Sequence, residues 1–299
     1  MMKLKLSLRN SASLVLFLNI LFVLLICGCT SSTSPSYLKE TLTQKIQDIC
    51  KEEYQLNVTA TIVGSTLWVY FPVEDLLEKT DKPEKYVEKF SIEANNVQIK
   101  ERMLTLDYSI KPVPEKEKFE NFRYNKKVAE QQNNIWKVIR RVLFSMGGPE
   151  KNAPKFLCIV TADIKNGFEI KQIFFLLDIK KVSYGFFSSE EYRHRIAEEI
   201  DSPPEIIGDK TGAHLKYKDI TLGEFVTLQI QQRIKLKFQK PEVAEKADID
   251  KEILKVVRYT LNTYGFKDFS EVELNNIVTN NKVILNKAAV LDSPNEEKP

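Results

Sequence analysis

"LNVTATIVGSTLWVYFPV", residues 56–73, switches period immediately after a helical stretch. Leu56, Val58, Ala60 and Ile62 alternate with Asn57, Thr59 and Thr61, the two-residue period of a half-buried strand. Gly64-Ser65 supplies a turn, and Leu67 to Phe71 continues as a second strand. Just upstream, Leu38, Leu42, Ile46 and Ile49 fall at i, i+4, i+8 and i+11, which predicts an amphipathic helix over 38–53. The local order is helix, then hairpin.

That order recurs twice. Val128, Ile135, Ile139, Val142 and Met146 mark a helix stopped by Gly147-Gly148-Pro149, followed by "FLCIVTADIKNGFEI" with an Asn166-Gly167 turn. Ile249, Ile253, Val256, Val257 and Leu261 mark another, followed by "VELNNIVTNNKVILNKA" with a turn at Asn280-Asn281. Three helix-hairpin units suggest a structural repeat, although their side chains share too little identity to assert duplication. Val97 to Ile99 and Leu104 to Ile110 read as a further hairpin. Ser188 with Glu191, and Thr221 with Glu224, have the spacing of capping boxes that start helices. "IKQIFFLLDIKKV" suits a buried strand by length, while Ile170, Ile173, Phe174 and Leu177 also fit a helix face; we read it as strand. The sum predicts an α+β fold with amphipathic helices packed on antiparallel sheet. "KPVPEKEK" (Lys111 to Lys118) and Ser202 to Gly212 read as loops or linkers. The expected division is therefore an N-terminal α+β unit over 37–114, a larger α+β part over 115–291, and a disordered tail over 292–299.

The N-terminus carries a different kind of signal. Lys3, Lys5 and Arg9 precede an apolar run from Leu14 to Ile26 that only Asn19 interrupts, and a Ser/Thr-rich stretch follows Gly28-Cys29. This is the three-part layout of an export signal, with an apolar core short for a membrane span. Ile26-Cys27-Gly28-Cys29 resembles the lipobox of bacterial lipoproteins, a likeness confined to about the first tenth of the chain. The resemblance implies removal of a signal peptide at 1–28, and Cys29 as both new N-terminus and lipidated residue, carrying a diacylglyceryl group and often an amide-linked third chain. Two or more acyl chains hold a protein at a membrane, whereas one does so only marginally. The alternative is an uncleaved signal anchor, and either route puts the body outside the cytoplasm. Thr30 at the position after the cysteine favours outer-membrane delivery where the host has two membranes. Residues 29–36 then serve as a flexible tether.

Charge follows the same division. All three basic residues before Lys39 lie within the first 28 positions, so of 44 basic side chains 41 remain against 41 acidic ones. A neutral body gives no electrostatic reason to expect nucleic acid as a partner.

Chemistry-bearing patterns are sparse. The two histidines, His194 and His214, sit in no metal spacing, and no P-loop, dinucleotide fingerprint or nucleophile elbow occurs, so no metal or cofactor is expected. Asp178, an acid inside "FFLLDIKK", is the best acid-base candidate, with Glu190, Glu191 and His194 downstream; pairing with Lys180 or Lys181 is the structural alternative. In "STLWVYFPV", Trp68 and Tyr70 share one strand face and form a candidate binding surface, unless that face is covered. "QQRIKLKFQK" reads as a solvated basic face. Cys50 and Cys158 each lie on an apolar face and read as separate buried thiols, with a disulfide as the alternative. Together these features predict a non-catalytic lipoprotein, an adaptor or assembly factor in the cell envelope with an envelope protein as partner. The alternatives are a carboxylate hydrolase around Asp178 or an inert spacer.

Overall fold

A computed structural model describes residues 37–145, 153–239, 243 and 247–291. The signal peptide, Cys29, the tether, Met146, the Gly147-Gly148-Pro149 stop and the C-terminal tail expected from sequence lie outside these residues.

The described chain runs α1 (Leu42–Tyr54), β1 (Thr59–Val63), β2 (Thr66–Val73), β3 (Leu77–Lys100), β4 (Met103–Tyr124), α2 (Lys126–Phe144), β5 (Phe156–Asp163), β6 (Phe168–Phe175), α3 (Leu176–Ser183), α4 (Ser189–Arg193), β7 (Ala197–Asp201), α5 (Leu222–Gln239), α6 (Ile249–Tyr264), β8 (Glu271–Asn276), β9 (Asn281–Asn286) and α7 (Lys287–Leu291). This is an α+β fold built on two sheets, β1-β2-β5-β6-β7 and β3-β4-β8-β9. The three helix-hairpin units occur where the sequence periods place them. The sheets, however, are mixed rather than antiparallel, because β2 pairs parallel to β5 and β4 parallel to β8. Sequence shows each hairpin but not which hairpins lie side by side.

Strand β2 explains the first sheet. Leu67, Val69, Phe71 and Val73 enter a core with α1, α2 and alternate residues of β5 and β6. Trp68 and Tyr70 enter a second core with Phe156, Cys158, Val160, Ile173, Ile206, Ile220 and Phe225. With both faces covered, the strand reads as a nearly continuous apolar run. Cys50 and Cys158 are free and buried on opposite sides of this sheet. Burial pushes the Cys50 thiol up to about 11 and Cys158 well above its ordinary value.

The loop reading of Lys111 to Lys118 is corrected: this segment is the middle of β4, so the boundary near 115 cuts through a strand. Strands β3 and β4 form a long two-stranded ribbon. Leu76, Leu77 and Tyr124 at one end pack into the first core, and Phe90, Val97, Leu104, Leu106 and Ile110 at the other build the core of the second sheet. Pro112 and Pro114 are tolerated because β8 runs beside β4 only from Met103 to Tyr108, and no described strand pairs along that edge beyond. Lys85–Glu117, Lys89–Glu115, Lys118–Glu88 and Arg123–Glu78 pair across the exposed stretch.

Helix α5 joins the two halves. Its Phe225 packs under the first sheet while Val226, Ile230, Ile234 and Phe238 pack on the second. The helix is buried on more than one side, with Thr227, Gln229 and Lys237 among its buried residues, so its basic stretch is solvated only in part, at Lys235. The Lys237 side chain is 11% exposed and pairs with Glu252 at 2.7 Å, and Arg233 lies 4.9 Å over the Tyr259 ring.

Candidate functional site

The far face of the first sheet is crossed by a strap, residues 202–221, and its local chemistry explains its path. The Asp209 carboxylate accepts from the backbone N–H groups of Thr211, Gly212 and His214 at 2.8, 2.9 and 3.1 Å, closing a tight turn. Gly212 sits at φ +77°, and a Cβ there would meet the Tyr217 hydroxyl at 2.7 Å and the Tyr70 ring at 2.9 Å, so only glycine fits. At the other end Asp219 accepts from Ser65 N–H at 2.8 Å and from both the Ser65 and Thr66 hydroxyls at 3.0 Å. The strap is thereby pinned to the β1–β2 turn.

Between these pins lies His214. Its Nδ1 is 2.6 Å from Asp209 Oδ2 and its Nε2 is 2.8 Å from Glu169 Oε2, and the His214 and Glu169 side chains are 5% and 3% exposed. Burial opposes charge on the imidazole, but the bonds to Asp209 and Glu169 outweigh it and hold His214 above its ordinary value. Burial likewise disfavours the Asp209 carboxylate, yet its bonds to His214 and Thr211 hold its pKa well below the usual range. An imidazolium bridging two carboxylates satisfies both directions. Tyr70 meets the imidazole edge-on at 5.8 Å, and its hydroxyl donates to the Asp209 carbonyl at 2.6 Å.

Beside this bridge opens a cleft of about 950 Å³ between the strap, β6, β7 and the start of α5. Its charged walls mix signs. Lys171 pairs with Asp201 at 3.1 Å and Glu199 at 3.6 Å, Lys218 pairs with Glu224 at 3.1 Å, and Lys216 and Glu205 reach the mouth. Glu224 also closes the expected capping box, accepting from Thr221 N–H at 2.9 Å while its own N–H donates to the Thr221 hydroxyl at 3.2 Å.

The sequence-predicted site residues fare differently. Trp68 and Tyr70 share a face as expected, but they are 3% and 0% exposed, so they present no free aromatic surface. The strap covers them: Trp68 Nε1–H donates to the Lys218 carbonyl at 2.8 Å and its ring meets Tyr217 edge-on at 5.6 Å. Trp68 still contributes to the cleft wall. The segment holding Asp178 is strand β6 only to Phe175, and Asp178 lies in the first turn of α3. Burial pushes Asp178 up, and the Arg195 ion pair at 3.1 Å pulls it only part of the way back. His194 is exposed at the end of α4, and no bond joins it to Asp178, so the structure does not assemble that pair. Ser188 caps α4 through Glu191 N–H as expected, whereas Glu191 turns to Arg195 and Tyr259.

Glu169, Asp209 and His214 were invisible as a group in the sequence, because 45 residues separate Glu169 from His214. The local signal is Asp209 with Gly212 three positions on in "GDKTGAH", which marks a turn and not a bridge. Among the described residues no group of three or more His, Cys, Asp or Glu side chains has the arrangement of a metal site. Nor is any described helix long and apolar enough to cross a membrane. No protein-family model, no curated protein and no solved structure matches this chain.

Proposed function

We propose that the protein is a lipoprotein of the bacterial cell envelope, anchored through acylated Cys29, whose body binds a partner and does not transform it. The mixed-charge cleft beside His214 carries the binding reading. About 950 Å³ lies at the upper end of the range for ligand sites, and its walls offer donors and acceptors of both signs within reach of one occupant. A zwitterionic peptide segment of an envelope protein has the matching chemistry. The acid-base group beside the cleft is already committed, since His214 uses both ring nitrogens. That favours recognition over proton transfer.

Two measurements test the two halves. Metabolic labelling with a fatty acid should be abolished by Cys29→Ser, and unchanged labelling rejects the anchor. A photocrosslinking residue placed at Lys216, at the cleft mouth, should give one discrete adduct with an envelope protein. The adduct should disappear when Lys218→Glu and Glu205→Lys are combined; undiminished crosslinking rejects the cleft as the binding site.

A further inference from the structure

Helix α3 ends in a well-made turn that holds two aromatic rings out into solvent. Gly185 N–H donates to the Val182 carbonyl and Phe186 N–H to the Lys181 carbonyl, at 3.1 and 3.0 Å, with Gly185 at φ +74°. This is the Schellman pattern, in which the residue after the glycine ordinarily packs back on the helix. Here Phe186 is 77% exposed and Tyr184 79%, with Leu177 beside them at 46%. A hollow of about 570 Å³ lies between these side chains, Phe187 and the stems of Lys180 and Lys181. Apolar rings fixed outward on an ordered turn and flanked by lysines are a costly arrangement in water and a favourable one in a headgroup layer.

The chain's entry point is linked to this turn through α2. Tyr37, the first described residue, packs on the α1–α2 core and is close enough to Arg141 for its phenol to act on that charge. The neighbouring Arg140 donates to the Ser183 hydroxyl at 3.3 Å, directly before the aromatic turn, and lies 5.9 Å over Phe144, itself 44% exposed. Eight residue steps separate Cys29 from Tyr37, so a fully extended tether reaches at most about 28 Å. A body held that closely meets the membrane repeatedly with whichever face lies near its point of attachment.

We propose that Leu177, Tyr184 and Phe186, with Lys180 and Lys181, seat in the headgroup region of an anionic lipid leaflet and fix the orientation of the body on the membrane. Phe186 and Leu177 enter the acyl boundary, the Tyr184 hydroxyl stays at headgroup level, and the lysines meet phosphate. The argument for proximity rests on the lipid-anchor reading of Cys29; the composition of the face does not.

The test places a reporter on the turn. The full chain carrying Phe186→Trp, reconstituted in vesicles of phosphatidylethanolamine and phosphatidylglycerol, is compared with Phe122→Trp on the exposed ribbon, after subtraction of the wild-type signal from Trp68 and Trp136. Lipids brominated near the headgroup end of the acyl chain should quench position 186 at least about twofold more than position 122, as burial of about 5–10 Å requires. Added salt should diminish the difference. Equal quenching at the two positions overturns the proposal, whatever the state of Cys29. Fatty-acid content measured on the same sample separates the two readings: selective quenching without acylation keeps the docking face and rejects the anchor, and acylation without selective quenching does the reverse.

Discussion

At the residue scale, His214 is the side chain on which most depends. Replacing it with Phe leaves Asp209 and Glu169 buried without their cation, which costs about 3–5 kcal/mol for a pair of this kind. The pH dependence has a definite sign. A histidine held above its ordinary pKa contributes stability that is complete below about 6.5 and is lost as pH rises through the folded value. An aspartate held below its ordinary pKa contributes stability that is complete above about 3.9 and is lost as pH falls. Urea midpoints should therefore be highest between these two limits, and the decline on the alkaline side should be absent in His214→Phe. A wild-type midpoint unchanged through the alkaline limb would contradict the bridge. The cysteines give a simpler check: buried thiols with raised pKa should resist iodoacetamide in the folded protein and both react in denaturant without reductant. None of the bridge was legible beforehand. A single histidine carries no period, and its partners come from another strand and an adjacent turn.

At the element scale, what was legible depended on how local the causing interaction is. The Ser188 and Thr221 caps, the Asn166-Gly167 turn and the amphipathic faces of α1, α2 and α6 are set within four or fewer residues, and the sequence shows them. "IKQIFFLLDIKKV" defeated the same reasoning because it holds two elements: β6 ends at Phe175 and α3 begins at Leu176, both apolar, so no polar break marks the junction. "KPVPEKEK" failed for the opposite reason. Its prolines and charges are turn-like in composition but fit a ribbon edge along which no described strand pairs. The strap offers the test at this scale. Gly212→Ala forces a Cβ against Tyr217 and Tyr70 at a backbone angle that L residues rarely adopt, and should cost roughly 1–3 kcal/mol. Amide exchange over 209–219 should accelerate while α1 and α2 remain protected. Unchanged exchange in the strap would show that Gly212 is not what seats it.

At the scale of the whole molecule, the two halves are not successive along the chain. The first sheet takes β1 and β2 from before the ribbon and β5 to β7 from after it, and the second takes β3 and β4 from the ribbon and β8 and β9 from the far end. No single cut releases one half intact, and a boundary near 115 falls inside β4. Helix α5 adds a second tie, because Phe225 belongs to the core under the first sheet while Val226 and Ile230, on the same helix, belong to the second. Shared elements couple stabilities, so the body should unfold as one cooperative unit. Phe225→Ala removes a fully buried ring and should cost about 3–5 kcal/mol. If the coupling holds, the free energies of native-state exchange from α1, which packs on the first sheet, and from the β8–β9 pair of the second sheet should fall by the same amount in that variant. Loss confined to α1 would mean that the halves melt separately, and that a partner seated in the His214 cleft could not be felt at the second sheet.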